Sequence, residues 1–326
     1  MFRSILNRSK QIWTPEGHKL LQNPSKEYVD KFIELHGANR PDFKSEDIEM
    51  WKTAFGKDYM LNFLCPKDSI DVIFSSHLIR YRSVKPDNPD IFMWGLAWAN
   101  EKYRGRKIMQ IMHNCVIKTW IREGRLNTVG CSMKTLKRFV TNILGGVFNT
   151  QHTYFISFYD AKNFKPIDGP FDGITVKNFR DVPPNDLHQY DELVFPYDRK
   201  NYMSRHFLDK NGWGKVAYDE NGNVVGIAAV IAYPSGECVI QPLYADSTQI
   251  AQALFNSILK EMPLEKCWRF QVRSHDQHPG SYSWIAPFLN CPLNKTALSY
   301  ATYSAFPPKY DVSKVFVNAQ PTNAPI

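Results

Sequence analysis

Ile91-Phe-Met-Trp-Gly-Leu-Ala-Trp-Ala-Asn-Glu-Lys-Tyr103-Arg-Gly-Arg-Lys-Ile108-Met109 reads as a strand, a basic turn and the start of a helix. Residues 91–99 are an apolar run of strand length, bounded by polar residues. Arg104-Gly105-Arg106 turns the chain. Ile108, Met112, Cys115 and Thr119 then recur on one helical face, with Trp120 beside them, and Gly124 stops the helix. The first N–H groups of a helix lack partners and lie at the positive end of its dipole, so they attract phosphate. Gly105 permits close approach, and Arg104, Arg106 and Lys107 add charge-assisted bonds to the same polyanion.

Two similar series of elements extend outward from this junction. The first has a strand over 18–23, helices over 25–36 and 45–55, and strands over 59–65, 71–82 and 91–99. It continues with helix 107–123, strand 126–131, helix 133–144 and strand 150–159. The second has strand 173–179, helices 184–193 and 199–210, and strands 214–218, 224–233 and 238–244. Helix 247–262, strand 267–274, helix 281–289 and strand 297–304 close it. Asp219-Glu-Asn-Gly222 is a hairpin turn, and Pro263 ends a helix. Pro166, Gly169 and Pro170 mark a connecting segment.

The turn Tyr103-Arg-Gly-Arg-Lys-Ile-Met109 resembles the pyrophosphate loop of the Gcn5-related N-acetyltransferase (GNAT) family, roughly Y-R-G-K-G-I-G. Arg104 and Gly105 match, whereas Lys107 and Met109 stand where the family has small residues. Gly130-Cys-Ser-Met-Lys-Thr-Leu-Lys-Arg-Phe139…Leu144-Gly145 resembles the same family's next strand and helix. Residues 187–317 resemble the C-terminal acetyltransferase-like domain of the YitH/HolE type. Tyr190-Asp191…Phe195…Asp198-Arg199, Asn221-Gly222-Asn-Val-Val-Gly226 and Ile240-Gln-Pro-Leu-Tyr-Ala-Asp246 carry that likeness, with Lys314-Val-Phe316 near the end.

The resemblance implies an α+β (α/β) fold of two tandem GNAT-like domains, each a mixed, mostly antiparallel sheet flanked by helices. Its bounds are 1–165 for the acyl-CoA-binding domain, 166–172 for a linker and 173–320 for the second domain. It further implies an N-acyltransferase moving acetyl directly from acetyl-CoA to an amine in a ternary complex. The alternative is a CoA-binding or regulatory protein that kept the fold and lost the chemistry. The implied cofactor contacts are Leu96, Ala97, Trp98, Ala99, Arg104, Gly105, Arg106, Lys107, Ile108, Met109 and Ser132, the last touching the pantetheine arm. No metal is expected.

Asp246-Ser247-Thr248-Gln249 replaces the basic glycine turn at the corresponding second junction. A Ser or Asp N-cap uses the free amides itself, and Asp246 repels an anion. The second half is therefore expected not to hold coenzyme A in the usual manner, the alternative being a water-bridged cofactor.

The chemistry is less legible. Phe139 aligns with the tyrosine that protonates the leaving thiolate in many relatives, and it has no proton to give. Tyr154 is the candidate substitute, and Glu101 is the candidate base, acting through water, or else a surface partner of Lys102 or Arg104. His77 and His152 are isolated histidines. His275, Asp276 and His278 cluster, but Pro279-Gly280 follows and favours a loop over a metal site. Gly212 and Gly214 suggest that Trp213 lies in an exposed turn.

Net charge is +8 over 326 residues. The compact cluster at 102–107 suits one small polyanion better than a duplex, which needs many spread contacts. Nucleic-acid binding therefore ranks last. The six cysteines form no C-x-x-C pair and suit a reducing compartment, so a cytoplasmic location is expected. The basic start MFRSILNRSK leaves a mitochondrial presequence as the alternative. No run reaches the ~18 apolar residues of a membrane span. The expected partner is a small-molecule or peptide amine, with the chain a monomer or weak homodimer.

Overall fold

The computed structural model describes residues 16–37, 45–104, 108, 127–134, 137–142, 147–209, 211–294 and 297–318. The first half contains strands β1 (His18–Gln22), β2 (Tyr59–Pro66), β3 (Phe74–Ser83), β4 (Ile91–Ala99), β5 (Asn127–Met133) and β6 (Val147–Asp160). Its helices are α1 (Lys26–Gly37), α2 (Ser45–Phe55) and α3 (Lys137–Asn142). The second half contains β7 (Thr175–Asn178), α4 (Pro184–Val194), β8 (Tyr197–Asp198) and α5 (Lys200–Phe207). It continues with β9 (Gly212–Tyr218), β10 (Val224–Ala232), β11 (Glu237–Ala245), α6 (Thr248–Glu261), β12 (Arg269–His275), β13 (Ala297–Tyr303) and β14 (Val315–Val317).

The strands join in one mixed sheet in the order β1-β2-β3-β4-β5-β13-β6-β12-β11-β10-β9-β7. Alternation along the strands divides the core between two faces. Leu61, Phe63 and Cys65 of β2 enter one apolar cluster, and Met60 and Leu64 enter another. Ile227 and Ala229 of β10 share the first cluster, whereas Ala228 and Val230 face α6 in a third. The first cluster spans both halves. It takes Val29 and Phe32 of α1, Ile48 and Trp51 of α2, Leu187 and Val194 of α4, and Tyr202, Met203 and Phe207 of α5. Phe55 stacks on Tyr202 at 5.5 Å, joining α2 to α5 across the halves.

Several expected elements change. The two halves exchange their final strands: β13 pairs with β5, and β6 pairs with β12. Strand exchange is a non-local choice that no local pattern announces. Of the helix expected over 133–144, Met133 is strand instead, paired with Ser299 beside the Ser132–Tyr300 pair, and the described helix is Lys137–Asn142. Helix 281–289 is a set of turns with one short 3-10 turn, Ala286–Phe288. Pro287 supplies the reason, since it removes an N–H and clashes with the preceding turn. Trp213 lies within β9 and packs on the α6 core. Its flanking glycines answer to crowding: a Cβ at Gly212 would meet Ile231 at 2.5 Å, and one at Gly214 the Phe207 carbonyl at 2.6 Å. The segment 160–172 is anchored, with Asn256 bonding both the N–H (2.9 Å) and the carbonyl (3.0 Å) of Ile167.

Candidate functional site

The parallel pairing of β4 with β5 covers only Ile91–Met93 against Asn127–Val129. Beyond it the strands remain close at one point, where a Cβ on Gly130 would lie 3.2 Å from the Trp94 carbonyl. β4 then continues to Ala99 beside β3, and β5 to Met133 beside β13. Among the described residues no strand pairs between these two ends. Between these two ends the described residues leave an unpaired gap, a slot.

A β-bulge lines the β4 side of the slot. The register passes from His77↔Gly95 to Ser75↔Trp98, so β4 carries one extra residue. Leu96 takes φ +52°, a left-handed backbone that costs a non-glycine residue about 1 kcal/mol or more. Two contacts hold it: its side chain is buried in the helix-covered core, and the buried Ser75 hydroxyl donates to its carbonyl at 2.9 Å. A trans peptide points its C=O and N–H in opposite directions. With the Leu96 carbonyl turned to Ser75 on β3, the N–H of Ala97 is aimed away from β3, on the side of the slot.

The Ala97 side chain is exposed. Trp98 is half-buried, its ring meeting Phe32 at 5.6 Å and His36 at 5.9 Å. Asn100 accepts from the Lys102 N–H at 3.1 Å and so starts the turn Glu101–Tyr103. The Arg104 guanidinium donates to the Ala99 carbonyl (3.2 Å) and to Glu101 (3.0 Å). Glu101 is thus an exposed ion-pair partner of Arg104. Ile108 packs with Trp94 and Tyr103 on the opposite face of the sheet. Gly105, Arg106, Lys107, Met109 and the helix after them lie outside the described residues, as do the side chains of Phe139 and His152.

Ser132 is half-buried on β5, where it pairs with Tyr300. Tyr154, on β6, does not adjoin β5, because β13 stands between them. It is buried, and loss of solvent pushes its phenol well above the ordinary range. Tyr154 is hydrogen-bonded to Tyr310, and its ring meets His275 edge-on at 5.1 Å. His275 accepts from the Gln277 N–H at Nδ1 (3.1 Å), which leaves Nε2 to donate to the Tyr310 hydroxyl (2.7 Å). Sequence reasoning missed Cys131 and Ser299, on the same sheet face as Tyr154. They are hydrogen-bonded, and desolvation raises the Cys131 thiol to about 11. No local signal pairs them, since Ser299 arrives on the exchanged strand.

His77 is buried with its ring edge-on to Trp51 (5.3 Å) and Tyr59 (5.6 Å). Asp276 bonds the N–H and hydroxyl of Thr153, and His278 packs on Phe316 at 4.2 Å. Among the described residues no three His, Cys, Asp or Glu side chains gather as metal ligands. None of the described helices is long and apolar enough to cross a membrane.

The second half repeats the geometry with a different outcome. β11 and β12 pair in parallel only over Glu237–Val239 and Arg269–Gln271, and β11 is bulged near Gln241–Pro242. Here β14 enters the gap: Val315 and Val317 pair with Tyr244 and Leu243, and the Asn318 N–H bonds the Arg273 carbonyl at 2.9 Å. The Ser247 hydroxyl caps α6 by accepting from the Ile250 N–H at 3.3 Å. Asp246 is held by the Tyr190 hydroxyl (2.6 Å) and by Lys314. A Cβ on Gly280 would meet Thr248 at 3.0 Å and Phe316 at 3.2 Å, so this loop closes over the helix start.

A doubled sheet, with a splayed parallel pair and a bulge in each half, is the architecture of a tandem GNAT-type fold. Residues 187–278 match the "Acetyltransferase (GNAT) domain". Residues 16–194 match the family described as "Protein of unknown function (DUF1248)", and the chain belongs to that family. No curated protein matches the sequence. Among solved structures, a Pyrococcus horikoshii protein assigned as an acetyltransferase superposes with TM-score 0.68 and 13% identity, over 96% of this chain and 98% of that one. A tandem GNAT protein from the clavulanic acid biosynthesis pathway gives TM-score 0.62 and 10% identity, covering 88% and 97%. Saccharomyces cerevisiae N-myristoyltransferase with bound myristoyl-CoA gives 0.64 and 8%, covering 96% and 87%. At these identities the likeness is one of fold.

Proposed function

We propose that the chain is an N-acyltransferase that binds one acetyl-CoA, in the slot of the first half, and passes the acetyl group directly to an amine. The observation that carries this reading is the contrast between the halves. The β4/β5 slot is open among the described residues and carries a bulge, while its β11/β12 counterpart is filled by β14. An extended pantetheine arm would lie between β4 and β5 as a surrogate strand, near Ser132. The Ala97 N–H would meet the thioester carbonyl and stabilise the oxyanion that develops on attack. Arg104, with Arg106 and Lys107 on the following turn, would hold the phosphates. The free thiols of the five described cysteines support a reducing compartment such as the cytoplasm.

A second reading, binding without turnover, draws on the Glu101–Arg104 pair and on Tyr154, buried behind β13. Titration calorimetry with acetyl-CoA tests the first claim, which expects one site per chain. No heat in excess ligand would sink it. Release of CoA thiol across a panel of amines then separates the readings: binding without thiol release leaves the second.

A further inference from the structure

Cys238 and Cys267 sit where the second half's parallel pair begins. Cys238 is the second residue of β11, and Cys267 precedes β12 by two residues. Their sulfurs are 2.9 Å apart, with the Cys238 thiol donating to Cys267. The neighbouring residues pin both strand starts. Glu237 is paired in register with Arg269 and takes a 2.9 Å ion pair from it. A Cβ on Gly236 would meet Trp268 at 3.0 Å and the Lys266 carbonyl at 3.2 Å, so the two chain segments pass in close contact. Neither sulfur has to travel far: a disulfide needs ~2.05 Å, a closure of under about 1 Å.

The two thiols are also unlike. Cys238 is buried, and Cys267 is half-buried at the surface end of the pair. The hydrogen bond from Cys238 pulls the Cys267 thiol below its ordinary range and pushes Cys238 far above it. An accessible thiolate-forming cysteine beside a protected one is the arrangement of an attacking and a resolving thiol.

We infer that Cys238 and Cys267 are a reversible oxidation site that reacts with low-molecular-weight disulfides and closes to a staple between β11 and β12. The Cys267 thiolate attacks one sulfur of the small disulfide, whose S–S bond breaks and releases one small thiolate. Cys238 loses its proton to solvent and attacks the Cys267 sulfur, and the second small thiolate leaves. The protein loses two hydrogens and two electrons, and the small disulfide gains both as two thiols. The staple lies in the half whose slot is already filled, so cofactor binding in the first half is untouched.

The test uses the full chain incubated with oxidised glutathione. Denatured thiol titration should fall from six to four. The intact mass should drop by two hydrogens with no glutathione retained, and a non-reducing peptide map should link Cys238 to Cys267. Cys238→Ser should instead trap one glutathione on Cys267. The wild-type measurements stand even if that variant folds poorly. Six persistent thiols, a stable mixed disulfide on wild-type Cys267, or a cross-link to another cysteine would each overturn the assignment.

Discussion

The buried Ser75 hydroxyl donates to the Leu96 carbonyl at 2.9 Å, and this one bond sets the direction of the peptide between Leu96 and Ala97. Ser75→Ala removes the restraint on a residue held at φ +52°. Stability should fall by about 1–3 kcal/mol, the cost of leaving a buried carbonyl unpaired. The expected kinetic signature is a drop in kcat of about tenfold or more with the acetyl-CoA KM little changed, since an oxyanion donor acts in the transition state. Ser75→Thr should restore most of it. A change in KM alone argues against Ala97 as the donor.

Arg104→Ala combined with Arg106→Ala should abolish the rise in melting temperature produced by acetyl-CoA. The variant's own melting temperature should stay near that of the parent, because the Arg104–Glu101 pair is exposed and such pairs contribute little. Differential scanning fluorimetry with and without ligand reads both quantities.

Arg199 and Asp191 form a buried bidentate pair (2.9 and 2.7 Å), and Arg199 also donates to the Tyr244 hydroxyl at 3.2 Å. Asp191→Ala leaves a guanidinium buried without its counter-ion. Chemical denaturation should show a loss of about 3–5 kcal/mol. Arg199→Met with Asp191→Leu should be milder than that truncation.

Phe316→Ala removes the ring of β14 that packs on His278. It should cost about 3–5 kcal/mol in a denaturant melt. Acetyl-CoA stoichiometry should remain one per folded chain, because the β4/β5 slot is unaffected.

His278 is buried, and burial holds its imidazole below the ordinary value of 6.5. The unfolded chain therefore takes up the proton first as pH falls. Its contribution to stability is fully present above about 6.5 and declines as pH drops toward the lower folded value. His188 is shifted in the same direction, also by burial, so the two slopes add. Urea midpoints at pH 7.5 and 5.5 should differ, and His278→Gln should narrow the difference.

Most strands and helices were legible because they are local. Alternation marks β2 and β10, and 3.6-residue periodicity marks α1 and α6. The capped second junction was legible too, since Ser247 acts on Ile250 three residues on, whereas the partners of Asp246, Tyr190 and Lys314, are distant in sequence. Pro287 carried a local signal against the helix expected over 281–289. The ion pair of Glu101 with Arg104 was legible as well, because the two stand three residues apart after a strand. The neighbourhood of Tyr154 could not be read at all. Its contacts with Tyr310 and His275 join residues more than 100 positions apart in sequence.

The sequence by itself determined that the chain repeats one mixed α/β unit, that the first strand-to-helix junction is basic, and that the second is self-capped. These follow from residue types within a few positions of one another, where propensity, capping and charge act directly. Only the tertiary structure decided that the halves exchange β6 and β13 to build one sheet, that β14 fills the second slot, and that Ser75 turns the peptide at Leu96. Each of those joins strands distant in sequence, so it depends on which edges and faces are left to be paired once the local elements have formed.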